Sequence, residues 1–195
     1  MASELTVQTL RGPTSGANAD TVLIPSGQKI IAADSAAITS PGMVLQVVHR
    51  VGGDRITTTT TNTWTAANLD LSITPKFVNS KILLLGQQPM RIYGPNSTPI
   101  ARGSQRIKRN VAGGSYTVVW NTAGHQEHVQ VRGTSGSQEL SHVIAWSIVD
   151  SPSYSIGQTI SYVPEGYMYG DTNVSQLILW EGSRGSNIQL MEIAQ

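Results

Sequence analysis

From Met43 onward the chain is written in short apolar runs: MVLQVVHR, LDLSIT, KILLLG, SYTVVWN, HVQVR, SHVIAWSIV, QTISYV, VSQLILW and NIQLMEI. Val, Ile, Leu, Thr and aromatics fill them, and Gly, Pro, Asn or Ser stands between most. Branched and aromatic side chains fit a pleated surface, and many short strands punctuated by turns can bury their apolar faces only in a sandwich or a barrel. One window, KIIAADSAAI, has a helix-favouring composition, but it is short, and sustained apolar spacing of three and four is missing elsewhere. The expected class is all-β.

The closing run sharpens this reading. Ile188 and Leu190 alternate with Asn187 and Gln189, as in a strand with one buried face, but Met191 and Ile193 fall on the opposite side. The end is therefore apolar on both faces or shifted by a one-residue bulge, and either form places it inside a sheet. SHVIAWSIV is also apolar on both faces, with Val143, Ala145 and Val149 on one and Ile144, Trp146 and Ile148 on the other. That pattern fits a central strand, or one with a face against another subunit. The threonine-rich ITTTTTNTWTAAN reads as an exposed extended strand.

Residues 1–42 follow a different pattern. Brief apolar touches, Leu5 and Val7, Val22 and Ile24, Ile30 and Ile31, and Ile38, are separated by turn compositions such as GPTSGANAD and IPSGQ. No touch can bury itself, so the segment becomes ordered by lying along the following domain or by winding with copies of itself, with a flexible tail as the alternative. The expected division is an extended attachment or oligomerisation segment over 1–42, with Val22, Ile24, Ile30 and Ile38 as its contact residues, and a head over 43–195.

Composition narrows the function classes. At 195 residues the chain can bury one sizeable core without staples. Charged residues are 13% and the net charge is +1, which gives no global field to draw nucleic acid or an anionic membrane. Cysteine is absent, which excludes disulfides, thiolate nucleophiles and cysteine-based metal sites. Neither the basic start and apolar run of a secretory signal nor about 18 consecutive apolar residues occurs, so no membrane insertion is expected.

Catalytic and metal motifs are weak. His125 and His128 in HQEH would share a face on a helix, but the flanking glycines and the alternation of HVQVR favour a strand or hairpin, where they point apart. Only histidines from several subunits meeting on an axis would then ring a metal. No GxSxG elbow appears, and His49 and His142 lie within strand-like runs. The aspartates and glutamates are scattered, and Asp150, Glu165, Asp171 and Glu181 lie near predicted turns. No catalytic residue, metal site or cofactor is expected. The densest basic stretch, with Arg91, Arg102, Arg106, Lys108 and Arg109, reads best as a solvated hairpin loop, with phosphate or polysaccharide contact or an acidic neighbour in an assembly as alternatives. GYMYGD sets Tyr167 and Tyr169 near turn residues, as a recognition loop or as tyrosines lying on a sheet.

Several stretches occur in an order that resembles the small fibre or surface proteins of tailed bacteriophages, particularly those of marine bacteria and cyanobacteria. These are TVLIPSGQKIIAADSAAI leading into SPGMVLQVV, ITPKFVNSKILLLG, and IVDSPSYSIGQTISYVPEG with SNIQLMEIAQ. The matching positions are Ile24 to Gly27, Ser80 to Leu83, Asp150 to Pro152 and Leu190 to Ile193, while PMRIYGPNSTPIARG departs from the simpler strand and turn of such heads. The resemblance implies a homotrimer with a jelly-roll-like β-sandwich head and an N-terminal segment that attaches to other virion proteins. It implies a non-enzymatic fibre or tip, assembled in host cytoplasm; from the basic and tyrosine-rich stretches, Tyr93, Arg102, Tyr167 and Tyr169 are the candidate contacts to a host cell-surface glycan or protein. Capsid decoration and polysaccharide depolymerisation are the alternative functions.

Overall fold

The structure, a computed structural model, describes residues 11–16, 21, 22, 24, 26, 28, 39–52, 54–94, 100–122, 129–132, 138–169, 176–179 and 185–195. The chain divides into two compact units, Met1–Ile38 and Thr39–Gln195. In the first, Gly12 lies against the backbone of Thr21, where no side chain fits. Val22 and Ile24 are exposed, whereas Ile30 and Ile38 lie outside the described residues.

The second unit contains twelve strands among the described residues, and no helix. They are β1 (Val44–Val51), β2 (Ile56–Thr58), β3 (Trp64–Ala66), β4 (Leu71–Ile73), β5 (Lys81–Gly94) and β6 (Ile100–Val111). Then follow β7 (Thr117–Asn121), β8 (Val129–Arg132), β9 (Gln138–Asp150), β10 (Ile160–Met168), β11 (Gln176–Leu179) and β12 (Asn187–Ile193). Every pairing is antiparallel, in two sheets.

Short strands that share one long partner form a single position, as do β1 and β2, which pair the two halves of one such position, β12 and β11; this reduces the twelve to eight. In chain order the positions are β1 with β2, β3 with β4, β5, β6, β7 with β8, β9, β10, and β11 with β12. The first pairs the eighth, the second the seventh, the third the sixth and the fourth the fifth. Adding β5 to β11 and β12, and β6 to β10, gives sheet A the order 1-8-3-6 and sheet B the order 2-7-4-5. A long antiparallel hairpin rolled over on itself produces this nesting, so the unit is a jelly-roll β-sandwich.

Alternation places the core between the sheets. Ile82, Leu84, Met90 and Ile92 of β5 face inward with Ile188 and Leu190 of β12, opposite Ile107 of β6 and Ile160, Tyr162 and Met168 of β10. Each such aliphatic burial contributes about 1.5–3 kcal/mol before entropy. Glycines mark where the layers touch: a Cβ on Gly166 of β10 would fall 2.6 Å from Leu179 of β11. Pro89 and Pro164 sit inside long strands, each at the changeover between two short partners, so neither interrupts a ladder on that edge. The sequence reading ended QTISYV before that proline; the strand instead runs on to Met168.

Three other expectations resolve here. β12 has no bulge: Glu192 occupies the inner phase after Ile188 and Leu190, and Met191 and Ile193 lie outward with Gln189. β9 is not central; among described residues it pairs with β5 alone, with Ile144 and Trp146 inward and Val143, Ala145 and Val149 outward and exposed. The threonine run is not one strand. It breaks at Asn62, whose φ is 55°, where the chain leaves sheet A for sheet B. Local hydroxyl bonds help turn it: Thr60 N donates to Thr58 Oγ1 at 3.1 Å, and Thr63 Oγ1 to the Thr61 carbonyl at 3.3 Å.

Candidate functional site

The basic stretch is not a solvated loop. β6 takes Arg102, Arg106, Lys108 and Arg109 into the middle of sheet B, because it has partners on both edges. Acids of the same chain pair with Arg106, Lys108 and Arg109. Glu165 of β10 is only 4% exposed and sits between Arg106 Nε and Lys108 Nζ, both at 2.6 Å. Arg109 donates to both oxygens of Asp150 at 2.7 Å, and Arg91 of β5 pairs with Glu139 of β9. A carboxylate this buried needs a charged partner, and removing both cations would leave it unpaired in low dielectric.

Outward residues of sheet B form an aromatic and charged face. Tyr167 of β10 packs on Trp64 of β3 with ring centroids 5.0 Å apart, and Tyr169 meets Tyr167 edge-on at 4.8 Å. The Arg106 guanidinium lies 4.3 Å from the Trp64 ring centre, and Lys108 Nζ 4.0 Å from that of Tyr116. Tyr167 donates to Asn62 Oδ1 at 3.2 Å, and Tyr169 N to the Arg102 carbonyl at 3.2 Å.

Three of the four sequence candidates, Arg102, Tyr167 and Tyr169, are thus neighbours on sheet B. Tyr93 is not with them; it is half-buried on β5 in sheet A, opposite Glu139. Trp64 and Tyr116 were missed, although Glu165, Tyr167 and Tyr169 occupy alternate positions in ISYVPEGYMY and share the outward phase. His125 and His128 lie outside the described residues. Among the described residues, no group of three or more His, Asp or Glu is placed to hold a metal, and no helix is long and apolar enough to cross a membrane.

The outward face of sheet A is different. Across its four positions the register aligns Val47 of β1, Met191 of β12, Leu83 of β5 and Val149 of β9 in one apolar row. The next rows read His49, Gln189, Leu85, Ser147 and then Val51, Asn187, Gln87, Ala145. Val47 is 48% and Val149 62% exposed, and no acid or Arg or Lys occurs in these three rows.

Four of the five quoted sequence stretches converge at one end of the sandwich. Fully buried Glu192 accepts from Lys76 N at 2.9 Å, Phe77 N at 3.1 Å, Ser80 Oγ at 2.8 Å and Gln46 Nε2 at 2.6 Å. Tyr154 joins Ser80 N and the Phe77 carbonyl, while Tyr162 donates to Asp150 at 2.8 Å. Burial first, and Asp150 second, hold the Tyr162 hydroxyl far above the ordinary tyrosine range. These contacts fix loops and sheets together; their role is structural.

No family model matches the chain, and no curated protein matches it. Among solved structures, the infectious bursal disease virus Gx strain is 12% identical over 86% of this chain and 42% of that one, with a TM-score of 0.37. The VP2 subviral particle of the same virus is 12% identical over 94% and 46%, TM-score 0.33. The native virion of Kashmir bee virus is 10% identical over 97% and 94%, TM-score 0.23. The chain spans less than half the length of the two bursal disease virus chains. Scores of this size carry no functional argument, and the jelly roll is assigned from strand order.

Proposed function

We propose that this chain is a non-enzymatic structural protein of a virion, a trimeric tail fibre or tip whose sandwich head attaches to a host surface. The supporting observation is the three outward rows of sheet A that carry no acid, Arg or Lys. Aliphatic side chains left half exposed in an aligned row are an interaction surface by the usual standard for soluble proteins. Three copies can turn that face toward a common axis, where the absence of like charges removes the repulsion that identical surfaces would otherwise suffer. Glu165, Asp150 and Glu192 offer a catalyst little, since each is committed to partners that hold the fold.

Attachment then works by multivalency. Three weak sites on one trimer gain avidity through linkage, without a tight pocket. Immunogold labelling of purified particles tests the placement. Gold at the tail tip is the expected result. Gold spread over the shell would replace the fibre with a capsid decoration protein, and particles free of label would remove the virion role.

A further inference from the structure

On the outward face of sheet B, beyond the ion pairs of Glu165, lies an open groove of about 450 Å³. Its floor is a cross-strand row: Ser72 of β4, Ser161 of β10 and Asn110 of β6, with the two serine hydroxyls 2.7 Å apart. One wall is Tyr116, which is 52% exposed; the other is Asn68 and Asp70. Arg50 holds the Asp70 carboxylate at 2.8 Å, and Lys108, against the Tyr116 ring, is engaged by Glu165.

We propose that this groove binds a neutral oligosaccharide. A sugar unit has faces of C–H groups and a rim of hydroxyls. It needs an accessible aromatic plane to lie on and amide, hydroxyl and carboxylate groups that both donate to and accept from its rim. Tyr116 supplies the plane; Asn68, Asn110, Ser72 and Ser161 supply mixed donors and acceptors; Asp70 supplies the strongest acceptor. Open, wet sites of this kind recognise polar ligands through direct and water-bridged bonds.

The charge pattern selects against an anionic ligand. Asp70 is the charged group lining the groove, and its positive partner is already committed. Past the Glu165 ion pairs, the same outward face carries a second aromatic group. Tyr167, tilted against Trp64, lies six residues along β10 from Ser161, about 20 Å in an extended strand, so both aromatic stations share one outward surface. A ligand of several sugar units can reach from Tyr116 toward Trp64. For its biological use the inference rests on the attachment role proposed above, but its test reads sugar binding alone, so failure here leaves the assembly reading standing.

The test uses the purified full-length protein on an array of neutral hexose oligosaccharides of graded length, with uronate-containing counterparts alongside. Binding to at least one neutral series, tightening with length, is expected. Tyr116→Ala and Asn110→Ala should each weaken it about tenfold or more, with Tyr116→Phe close to wild type and melting temperatures preserved, since Tyr116 is half exposed. Absence of binding to every neutral series, binding confined to the uronates, or binding that survives both Tyr116→Ala and Asn110→Ala would each overturn the proposal.

Discussion

Glu192 shows how one residue disguises a strand. A carboxylate in the inward phase of β12 breaks the apolar alternation after Leu190, and it is tolerated only because the backbone N–H groups of Lys76 and Phe77, with Ser80 and Gln46, surround it. Glu192→Ala should therefore cost about 3 kcal/mol or more, seen as a lower midpoint in chemical denaturation, because those donors lose their acceptor. A shift below about 1 kcal/mol would show that the cluster is not holding the Lys76–Ser80 loop. Tyr162 makes a second residue-scale prediction. Its folded pKa is raised, so above the ordinary tyrosine value of 10.0 the unfolded chain loses a proton that the fold keeps. Stability from this group is complete below that pH and declines above it, by at most about 1.4 kcal/mol per pH unit. Tyr162→Phe should flatten the alkaline limb of a stability–pH curve, at a cost of about 1 kcal/mol near neutrality for the lost bond to Asp150.

At the scale of elements, β12 explains why a chain places apolar side chains so near Gln195. The strand is interior to sheet A, between β1 and β5, and closes the outermost pair of the rolled hairpin. Deleting residues 188–195 removes Ile188 and Leu190 from the core and exposes both neighbouring edges. The truncated protein should lose its cooperative thermal transition; a sharp melt within a few degrees of the parent would contradict this role. β6 carries the complementary lesson. Its sequence, rich in Arg and Lys, looks like a loop because cations are rarely central in a sheet, and only the pairing with Glu165 and Asp150, distant in sequence, makes the placement possible.

For the whole molecule, the all-β class was legible from the run lengths and turn residues, which left sandwich and barrel both open until the strand order decided between them. The individual strands were less so. β2 and β3 hid in a threonine run because hydroxyl-bonded turns and strands share that composition, and β10 seemed to stop at Pro164 because a proline is harmless only where a partner strand changes. Of the candidate site, alternation in the stretch around Tyr167 was readable, whereas Tyr116 lies far in sequence from Trp64 and the Asp70 wall and shares their face only through the register of sheet B. The outward row of sheet A was half visible: Met191 and Val149 read as surplus apolar residues, but their alignment with Val47 and Leu83 is a product of the 1-8-3-6 order. That row is where the account of assembly stands or falls. Sedimentation equilibrium of the full-length protein, beside Val149→Lys, measures it most directly. The wild type should sediment at three times its 20.9 kDa chain mass, and the variant, with a like charge set into each copy of the row, should shift toward monomer with its fold intact. A monomeric wild type, or a variant that remains fully trimeric, would contradict it.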